Sequence, residues 1–179
     1  MLDTLITSKT RIKLLLKFFL NSNSRSYLRN LESEFQESTN SIRLELNKFE
    51  KAGLLKTEID GNKKYFRANI DHPLYNDINS ILLKHIGLDE VIERVVKKLG
   101  NLDKVFVAGE FAKGNDNGII DLVFVSEEIN KEFLVKLVEK TESMIKRKIR
   151  YIVFNKEEFD IYKEKLNNSE ILLLWKSEE

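Results

Sequence analysis

Histidine and cysteine, which often supply acid–base groups, nucleophiles and metal ligands, are scarce in this sequence of 179 residues. Cysteine is absent, and His72 and His85 are the only histidines, which excludes disulfides, thiolate metal sites and a histidine-rich zinc cluster. Any metal ion would therefore need carboxylate ligands. Two carboxylates stand out by position, because Glu110 lies in a glycine-rich segment and Asp121 lies in the apolar stretch that follows it.

Lysine and arginine outnumber the acidic residues only in the first part of the chain. Residues 1–70 hold 13 Lys and Arg against 8 Asp and Glu, a balance of +5, whereas the remaining 109 residues hold 17 against 21, a balance of −4. Only the first part therefore favours a polyanionic partner. The alternative is chance variation in the charge of a solvated surface.

The elements that must position these residues begin with three predicted helices and a β-hairpin. Ser8 caps the first helix, Ser26 precedes a short second one, and the third runs from about residue 39 to 52, where Gly53 ends it. Two short strands around residues 60–62 predict a hairpin, because an Asp-Gly turn supplies the positive φ that a tight turn needs.

The rest of the chain is predicted as a helical connector and a small α/β domain. Pro73 opens a helix that Gly87 breaks, and an amphipathic helix follows over residues 89–99. Residues 71–100 thus form a connector and a possible dimer seam, although their apolar stripes could equally pack on their own sheet. In residues 101–179, a strand-loop-strand-helix-strand-helix order predicts a sheet that is mixed if the first two strands form a hairpin.

Three segments of the first part carry a family resemblance: residues 27–31 in the second helix, 38–43 opening the third, and 46–55 leading into the hairpin. With the hairpin, they resemble the ArsR/MarR-type winged helix-turn-helix regulators over roughly the first 70 residues. The resemblance implies a domain that binds double-stranded DNA, commonly as a dimer on two half-sites.

The predicted DNA contacts lie at the start of the third helix and beyond the hairpin tip. Short polar side chains and free amides at a helix N-terminus can meet phosphates and base edges. Arg43 suits guanine and Asn40 could pair with adenine, whereas the hairpin cations would add affinity more than sequence choice. The predicted set is Ser38, Thr39, Asn40, Ser41, Arg43, Lys63, Lys64 and Arg67. The alternative is a simple helix cap and a solvated turn.

Residues 105–114 and 118–125 are similar to the core of the DNA polymerase β-like (minimal) nucleotidyltransferases. The likeness extends over about residues 88–179 and is weak beyond residue 126. The family places a Gly-Ser pair after one strand and Asp-x-Asp at the start of the next, to hold Mg²⁺ and a triphosphate. Here Glu110 stands at the serine position and Ile119 at the first aspartate, so that Asp121 alone remains. One carboxylate cannot support a two-metal site, which predicts no nucleotidyl transfer, no metal and no cofactor.

The resemblance leaves a vestigial nucleotide-binding loop, predicted to consist of Gly109, Glu110, Lys113, Gly114 and Asp121. Asp116 lies off the strand, which argues against it as a replacement ligand. The alternative is an ordinary α/β domain in which the glycines serve tight turns and Asp121 is a capping acid.

Together these features predict an α+β protein of three parts: residues 1–70 as the winged helix-turn-helix, 71–100 as the connector and 101–179 as the nucleotidyltransferase-like domain. The predicted function is a DNA-binding transcriptional regulator, not an enzyme, with a second domain for sensing, dimerisation or partner contact. No apolar stretch or leader suggests a membrane or secretion, which predicts a cytoplasmic location. The alternatives are an active or weakly active, antitoxin-like nucleotidyltransferase whose winged helix binds RNA or protein, and an interaction module without nucleic-acid contact.

Overall fold

The computed structural model describes residues 2–165 and 171–177. The chain is organised as two units, Met1–His85 and Ile86–Glu179. The described residues form helices and two small sheets, which confirms the mixed α+β composition predicted from the sequence. The segment 71–100, predicted as a connector, contributes to both units. In the part of the chain that is described, no helix combines the length and the apolarity needed to cross a membrane.

The first unit follows the predicted order of helices and hairpin, with one added strand. In chain order the elements are α1 (Leu2–Leu5), α2 (Lys9–Leu15, continued by a π-helical turn over Leu16–Leu20), β1 (Arg25–Tyr27), α3 (Leu28–Phe35), α4 (Thr39–Lys51), β2 (Leu55–Asp60), β3 (Lys63–Ala68) and α5 (Tyr75–Ile86). The strands form an antiparallel sheet in the order β1-β3-β2, with Tyr27 opposite Tyr65 and Asp60 opposite Lys63.

Helix α4 forms where the sequence predicts it, because both of its ends carry local signals. Ser38 caps its start, where Oγ accepts the N–H of Ser41 at 3.2 Å, and Gly53 follows its end with a φ of +73°. Its inner face buries Ile42 and Leu46 completely or nearly so. Burial of such a side chain stabilises the fold by about 1.5–3 kcal/mol.

A bidentate ion pair joins α4 to α2. The Arg11 guanidinium donates to Glu45 from Nε at 2.8 Å and from Nη2 at 3.2 Å, and Lys48 Nζ donates to the same carboxylate at 3.0 Å. The Glu45 side chain is only 9% exposed, so its charge depends on these partners. The hydrogen bond from Arg11 is the main reason that the pKa of Glu45 lies below its usual value.

Strand β1 is the main departure from the sequence prediction in this unit. The sequence predicts a helix that starts after Ser26 and includes Tyr27, but both residues pair with β3, and α3 begins only at Leu28. A three-residue strand leaves no periodic pattern, and it forms because β3 offers a free edge. The predicted hairpin is present, but its two-residue turn is Gly61-Asn62 and not Asp-Gly, because Asp60 still pairs with Lys63 at the end of β2. Gly61 supplies the positive φ of this turn, at +59°.

The second unit contains a helical segment followed by a four-stranded sheet. Its elements are α6 (Leu88–Val91, continued by a π-helical turn over Ile92–Val96), α7 (Lys97–Leu99), β4 (Lys104–Ala108), α8 (Gly109–Ala112), β5 (Ile119–Val125), α9 (Lys131–Ile145), β6 (Lys148–Phe154), α10 (Lys156–Glu164) and β7 (Ile171–Lys176). The order is β6-β5-β4-β7. Strands β5 and β6 are parallel and the other pairs are antiparallel, so the sheet is mixed, as the sequence predicts.

Both faces of this sheet carry buried side chains, as near-continuous apolar strands require. One cluster consists of Phe106, Ala108, Val123, Val125, Phe159 and Ile171. Within it the rings of Phe106 and Phe159 stack with centroids 4.7 Å apart, which fixes α10 on that face. The alternating residues Val105, Val107, Leu122 and Phe124 are also buried.

The segment predicted as a glycine-rich loop after β4 begins instead with a helical turn. Gly109 starts α8, and Gly114 follows it with a φ of +86° and donates its N–H to the Phe111 carbonyl at 2.9 Å. Phe111 and Ala112 are buried, so packing holds this turn in place. In the sequence, these two apolar residues could have indicated a packed turn and not an open loop.

Candidate functional site

The outward face of α4 is polar and exposed. Asn40, Arg43 and Asn47 are exposed and follow one another at three- and four-residue spacing, which puts them on one face of the helix. Leu44, beside them, is 52% exposed. This face can therefore approach a partner without any rearrangement of the unit's core.

Two of the predicted contact residues at the start of α4, Ser38 and Ser41, take part in capping the helix. Besides accepting the Ser41 N–H, the Ser38 hydroxyl donates to Ser41 Oγ at 2.8 Å. Thr39 is half-buried. The Ser38 and Ser41 hydroxyls therefore bond to each other and to the backbone first, which leaves them less hydrogen-bonding capacity for a partner.

A groove of about 680 Å³ lies between the start of α3, the outer face of α4 and the hairpin tip. It is lined by Tyr27, Leu28, Arg29, Arg43, Leu46, Asn47, Asn62, Lys63, Lys64 and Phe66. Of the residues predicted to bind DNA, the groove brings together Arg43, Lys63 and Lys64. We refer to it below as the α4–hairpin groove.

Three cations of the groove come from three different elements. Arg29 belongs to α3, Arg43 to α4 and Lys63 to β3, and none of them pairs with a carboxylate within the described part of the chain. The Lys63 ammonium lies 4.6 Å from the centre of the Tyr27 ring, a cation–π contact that orients it without neutralising it. The groove therefore carries uncompensated positive charge.

Lys64 differs from its neighbour because an acid of α4 binds it. Its Nζ donates to both carboxylate oxygens of Glu50, at 2.7 and 2.8 Å, and the Thr57 hydroxyl donates to the same carboxylate at 3.2 Å. The hydrogen bond from Lys64 is the main reason that the pKa of Glu50 lies below its usual value. Lys64 is thus compensated within the protein.

Arg67, the last predicted contact residue, lies outside the groove. It stands on β3 opposite Arg25 of β1 and Lys56 of β2, on the outer face of the sheet. On that face, Arg25 stacks on the Tyr65 ring at 3.7 Å. Arg67 therefore shares a sheet face with Lys63, but it lies four residues further from the hairpin tip and does not line the groove.

Sequence reasoning missed the four other lining residues that carry a polar group: Tyr27, Arg29, Asn47 and Asn62. Arg29 lies in the predicted second helix of the helix-turn-helix, so its charge and position could have indicated a contact with DNA. Asn47 lies one turn beyond Arg43 on the same face, which the helical period could have indicated. Tyr27 and Asn62 carry no comparable local signal.

In the second unit, Gly109 lies against the carboxylate of Asp121. Asp121 of β5 pairs with Ala108 at the end of β4, directly before Gly109. A Cβ atom on Gly109 would lie 2.6 Å from Oδ2 of Asp121, and the φ of Gly109 is +66°. Both the approach and the backbone conformation therefore require glycine.

Arg150 of β6 binds the same carboxylate. It donates to Asp121 from Nε at 2.6 Å and from Nη2 at 2.9 Å, and this hydrogen-bonded pairing raises the pKa of Arg150. The pair borders an opening of about 310 Å³ that Ile152 and Tyr162 also line. The one acid that matches the Asp-x-Asp pattern is thus held by a cation of the neighbouring strand.

The other charged residues near α8 are also engaged with one another. Asn115 donates to Glu110 from Nδ2 at 3.0 Å, and Lys113 Nζ lies 3.8 Å from the Glu110 carboxylate. Asp116 accepts two hydrogen bonds from the Arg147 guanidinium. Asp116 is therefore directed to Arg147 and not to Asp121.

The pair of Mg²⁺ ions that the nucleotidyltransferase resemblance implies does not fit this arrangement. Both oxygens of Asp121 face the Arg150 guanidinium, and Glu110 is hydrogen-bonded to Asn115. Within residues 2–165 and 171–177, no three His, Asp or Glu side chains converge as a metal-binding group. We assign no metal ligands.

Comparison with known proteins gives matches only among solved structures. No protein-family model matches the chain, and no curated protein matches it. The chain is similar to AF1382 from Archaeoglobus fulgidus, with 20% identity, coverage of 46% of this chain and 93% of that chain, and a TM-score of 0.38. It is also similar to a “putative nucleotidyltransferase” from Sulfolobus solfataricus, with 26% identity, coverage of 55% and 86%, and a TM-score of 0.37.

The second match contradicts one prediction. The residues at two motif positions, Glu110 and Ile119, were the basis for predicting that the chain is not an enzyme, whereas the Sulfolobus protein is described as a “putative nucleotidyltransferase”. The prediction is therefore wrong as made. Its weakness is physical: two substituted positions remove one known way of holding metal ions, and they do not by themselves exclude an enzymatic activity.

Proposed function

We propose that the chain is a DNA-binding transcriptional regulator whose first unit acts as a winged helix-turn-helix. In this proposal α3 and α4 are the helix-turn-helix, α4 enters the major groove of duplex DNA, and the β2–β3 hairpin is the wing. Support comes from the order of the elements and from the exposed polar face of α4. The basic balance of residues 1–70 is a second, independent support.

The observation that carries the proposal is the α4–hairpin groove. Arg29, Arg43 and Lys63 converge there from three elements, and no carboxylate of the described chain pairs with them. A cation without an internal partner can bind a phosphate without breaking an ion pair first. The release of condensed counterions from the DNA then appears directly as binding free energy.

The lining residues divide into two proposed roles. Arg43 and Asn47, on the outer face of α4, would meet base edges in the major groove, where the planar fork of arginine matches guanine. Arg29 and Lys63, at the two sides of the groove, would meet backbone phosphates and fix the position of α4. The tyrosine ring under Lys63 holds that ammonium in place for this contact.

Duplex binding by the full chain at graded salt tests the proposal. Fluorescence anisotropy with a random 20–25 base-pair duplex, a length chosen as roughly two helical turns, should show binding that weakens steeply as salt rises. The Arg29→Gln variant should bind every duplex more weakly. The matched control is Lys136→Gln, which removes one exposed positive charge from α9 in the other unit.

Binding that is absent at low salt, or unchanged in Arg29→Gln, would reject the proposed interface. Absence of any duplex binding would favour the alternative of an interaction module. We further propose that the second unit serves sensing, dimerisation or partner contact. Sedimentation of the chain with and without duplex would test the dimer, since a regulator on two half-sites should bind as two copies.

A further inference from the structure

The two adjacent hairpin lysines have different environments. Successive residues of a strand point to opposite faces of a sheet. The Lys63 ammonium lies over the Tyr27 ring of β1, whereas the Lys64 ammonium lies against Glu50 of α4. From sequence alone the two residues are equivalent, because both are lysines directly after the turn.

Glu50 is well placed to hold Lys64. It lies in the last turn of α4, and its side chain is only 33% exposed. It accepts two hydrogen bonds from Lys64 and one from Thr57 on β2, so that one carboxylate joins α4 to both strands of the hairpin. Charge-assisted hydrogen bonds of this length are among the stronger polar contacts in proteins.

We infer that Glu50 withholds Lys64 from DNA, so that Lys63 alone of the two hairpin lysines binds the phosphate backbone. The inference rests on the proposed function and names a restraint on the same interface. For Lys64 to reach a phosphate, it would have to leave a half-buried carboxylate without its partner beside a polyanion. The contact would therefore gain little free energy.

The consequence of this pairing is weaker sequence-independent binding. A lysine–phosphate contact strengthens binding to every sequence equally, so withholding one such contact leaves a larger share of the affinity to base contacts from α4. A repulsive or withheld contact is one of the two ways in which a protein gains specificity. Glu50 is thus a specificity-determining residue that need not touch a base.

The salt dependence of duplex binding tests the inference, because each phosphate contact contributes about 0.9 to the slope of log K against log salt. Three variants of the full chain are compared with the wild type: Lys63→Gln, Glu50→Gln and the double variant E50Q/K64Q. Lys63→Gln should reduce the magnitude of the slope by about 0.9 and weaken binding about eightfold at 0.1 M salt. Glu50→Gln frees Lys64, so it should make the slope steeper by up to about 0.9 and strengthen binding by up to about eightfold at 0.1 M salt.

The double variant gives the decisive result. It replaces an ion pair of zero net charge with two uncharged side chains, so the slope and affinity of the wild type should be retained. If the double variant instead loses about 0.9 of slope, as Lys63→Gln does, then Lys64 contacts a phosphate in the wild type and the inference is wrong. An unchanged slope in Glu50→Gln would also overturn it.

Two controls keep these outcomes distinct. Thermal unfolding followed by circular dichroism shows whether each variant remains folded, and Lys136→Gln shows the effect of one charge removed elsewhere. If the wild type shows no salt-dependent duplex binding, the proposed function fails, and this inference fails with it. If the wild type binds duplex and only the double variant departs from the expected slope, the proposed function is retained and the proposed role of Glu50 is rejected.

Discussion

Oδ2 of Asp121 lies 2.6 Å from the position that a Cβ atom would occupy on Gly109. The carboxylate cannot move away freely, because Arg150 holds it with two hydrogen bonds. The sequence marks Gly109 as part of a phosphate-binding loop, and in the structure it makes room for an ion pair. Its requirement for glycine is therefore local and measurable.

Gly109→Ala is expected to destabilise the second unit more than Gly118→Ala. Both glycines have a positive φ, +66° and +79°, so alanine should cost about 1–2 kcal/mol at either position. Only at Gly109 does the new methyl group meet a fixed carboxylate, which should add about 1–3 kcal/mol. Urea unfolding followed by the fluorescence of Trp175, the only tryptophan, measures both. Equal losses would contradict the close approach to Asp121.

The ion pair between Arg11 and Glu45 should make stability depend on pH. The hydrogen bond from Arg11 lowers the pKa of Glu45 from its ordinary 4.5 in the folded state. The stabilisation is therefore complete above about pH 4.5 and is lost as the pH falls through the lower, folded-state pKa.

Unfolding free energies of the wild type and Glu45→Gln, measured between pH 7 and the acid transition, should show this dependence. The difference at neutral pH is expected to be about 1–3 kcal/mol and to shrink as the pH falls below about 4.5. A constant difference at all pH values would show that the charge of Glu45 does not matter. Both proteins should unfold reversibly for the comparison to hold.

The orientation of α4 can be tested with two alanine variants. Ile42→Ala, at a position with 0% exposure, should cost about 2–5 kcal/mol because it leaves a cavity. Leu44→Ala, two residues away and 52% exposed, should change stability by less than about 0.5 kcal/mol. Chemical unfolding measures both. A large loss in Leu44→Ala would mean that the outer face of α4 is packed and not free to meet DNA.

Arg43→Lys separates charge from geometry at the proposed reading position. Lysine keeps the positive charge, so the salt dependence of duplex binding should stay as in the wild type. The two-pronged contact with guanine should be lost, which reduces the preference for the best sequence by about 1–3 kcal/mol. Selection of a preferred duplex with the wild type, followed by competition with a scrambled one, gives this difference. An unchanged preference would remove Arg43 from the reading role.

Local signals in the sequence account for the parts of the fold that were predicted well. The cap at Ser38, the glycine at residue 53 and the turn at Gly61 each act within a few residues, so the ends of α4 and the hairpin could be derived from the chain itself. The mixed sheet of the second unit follows from the order of its apolar segments.

The features that were missed depend on contacts between distant residues. Strand β1 exists because β3 offers it an edge, and nothing within residues 25–27 announces this. The difference between Lys63 and Lys64 depends on where Glu50 and Tyr27 lie in space. The groove likewise needed the relative placement of α3, α4 and the hairpin, which a one-dimensional pattern does not contain.

Strand β1 ends at Tyr27, opposite Tyr65, so it does not extend to the tip of the hairpin. The last two pairs of the hairpin, which join Ile59 to Lys64 and Asp60 to Lys63, therefore have one neighbouring strand fewer than the pairs behind them. Backbone amides at the tip should exchange with deuterium faster than those facing β1. In the proposed function, the tip of the wing would thus be held to the rest of the unit by side-chain contacts, such as the one between Lys64 and Glu50, and not by a third strand.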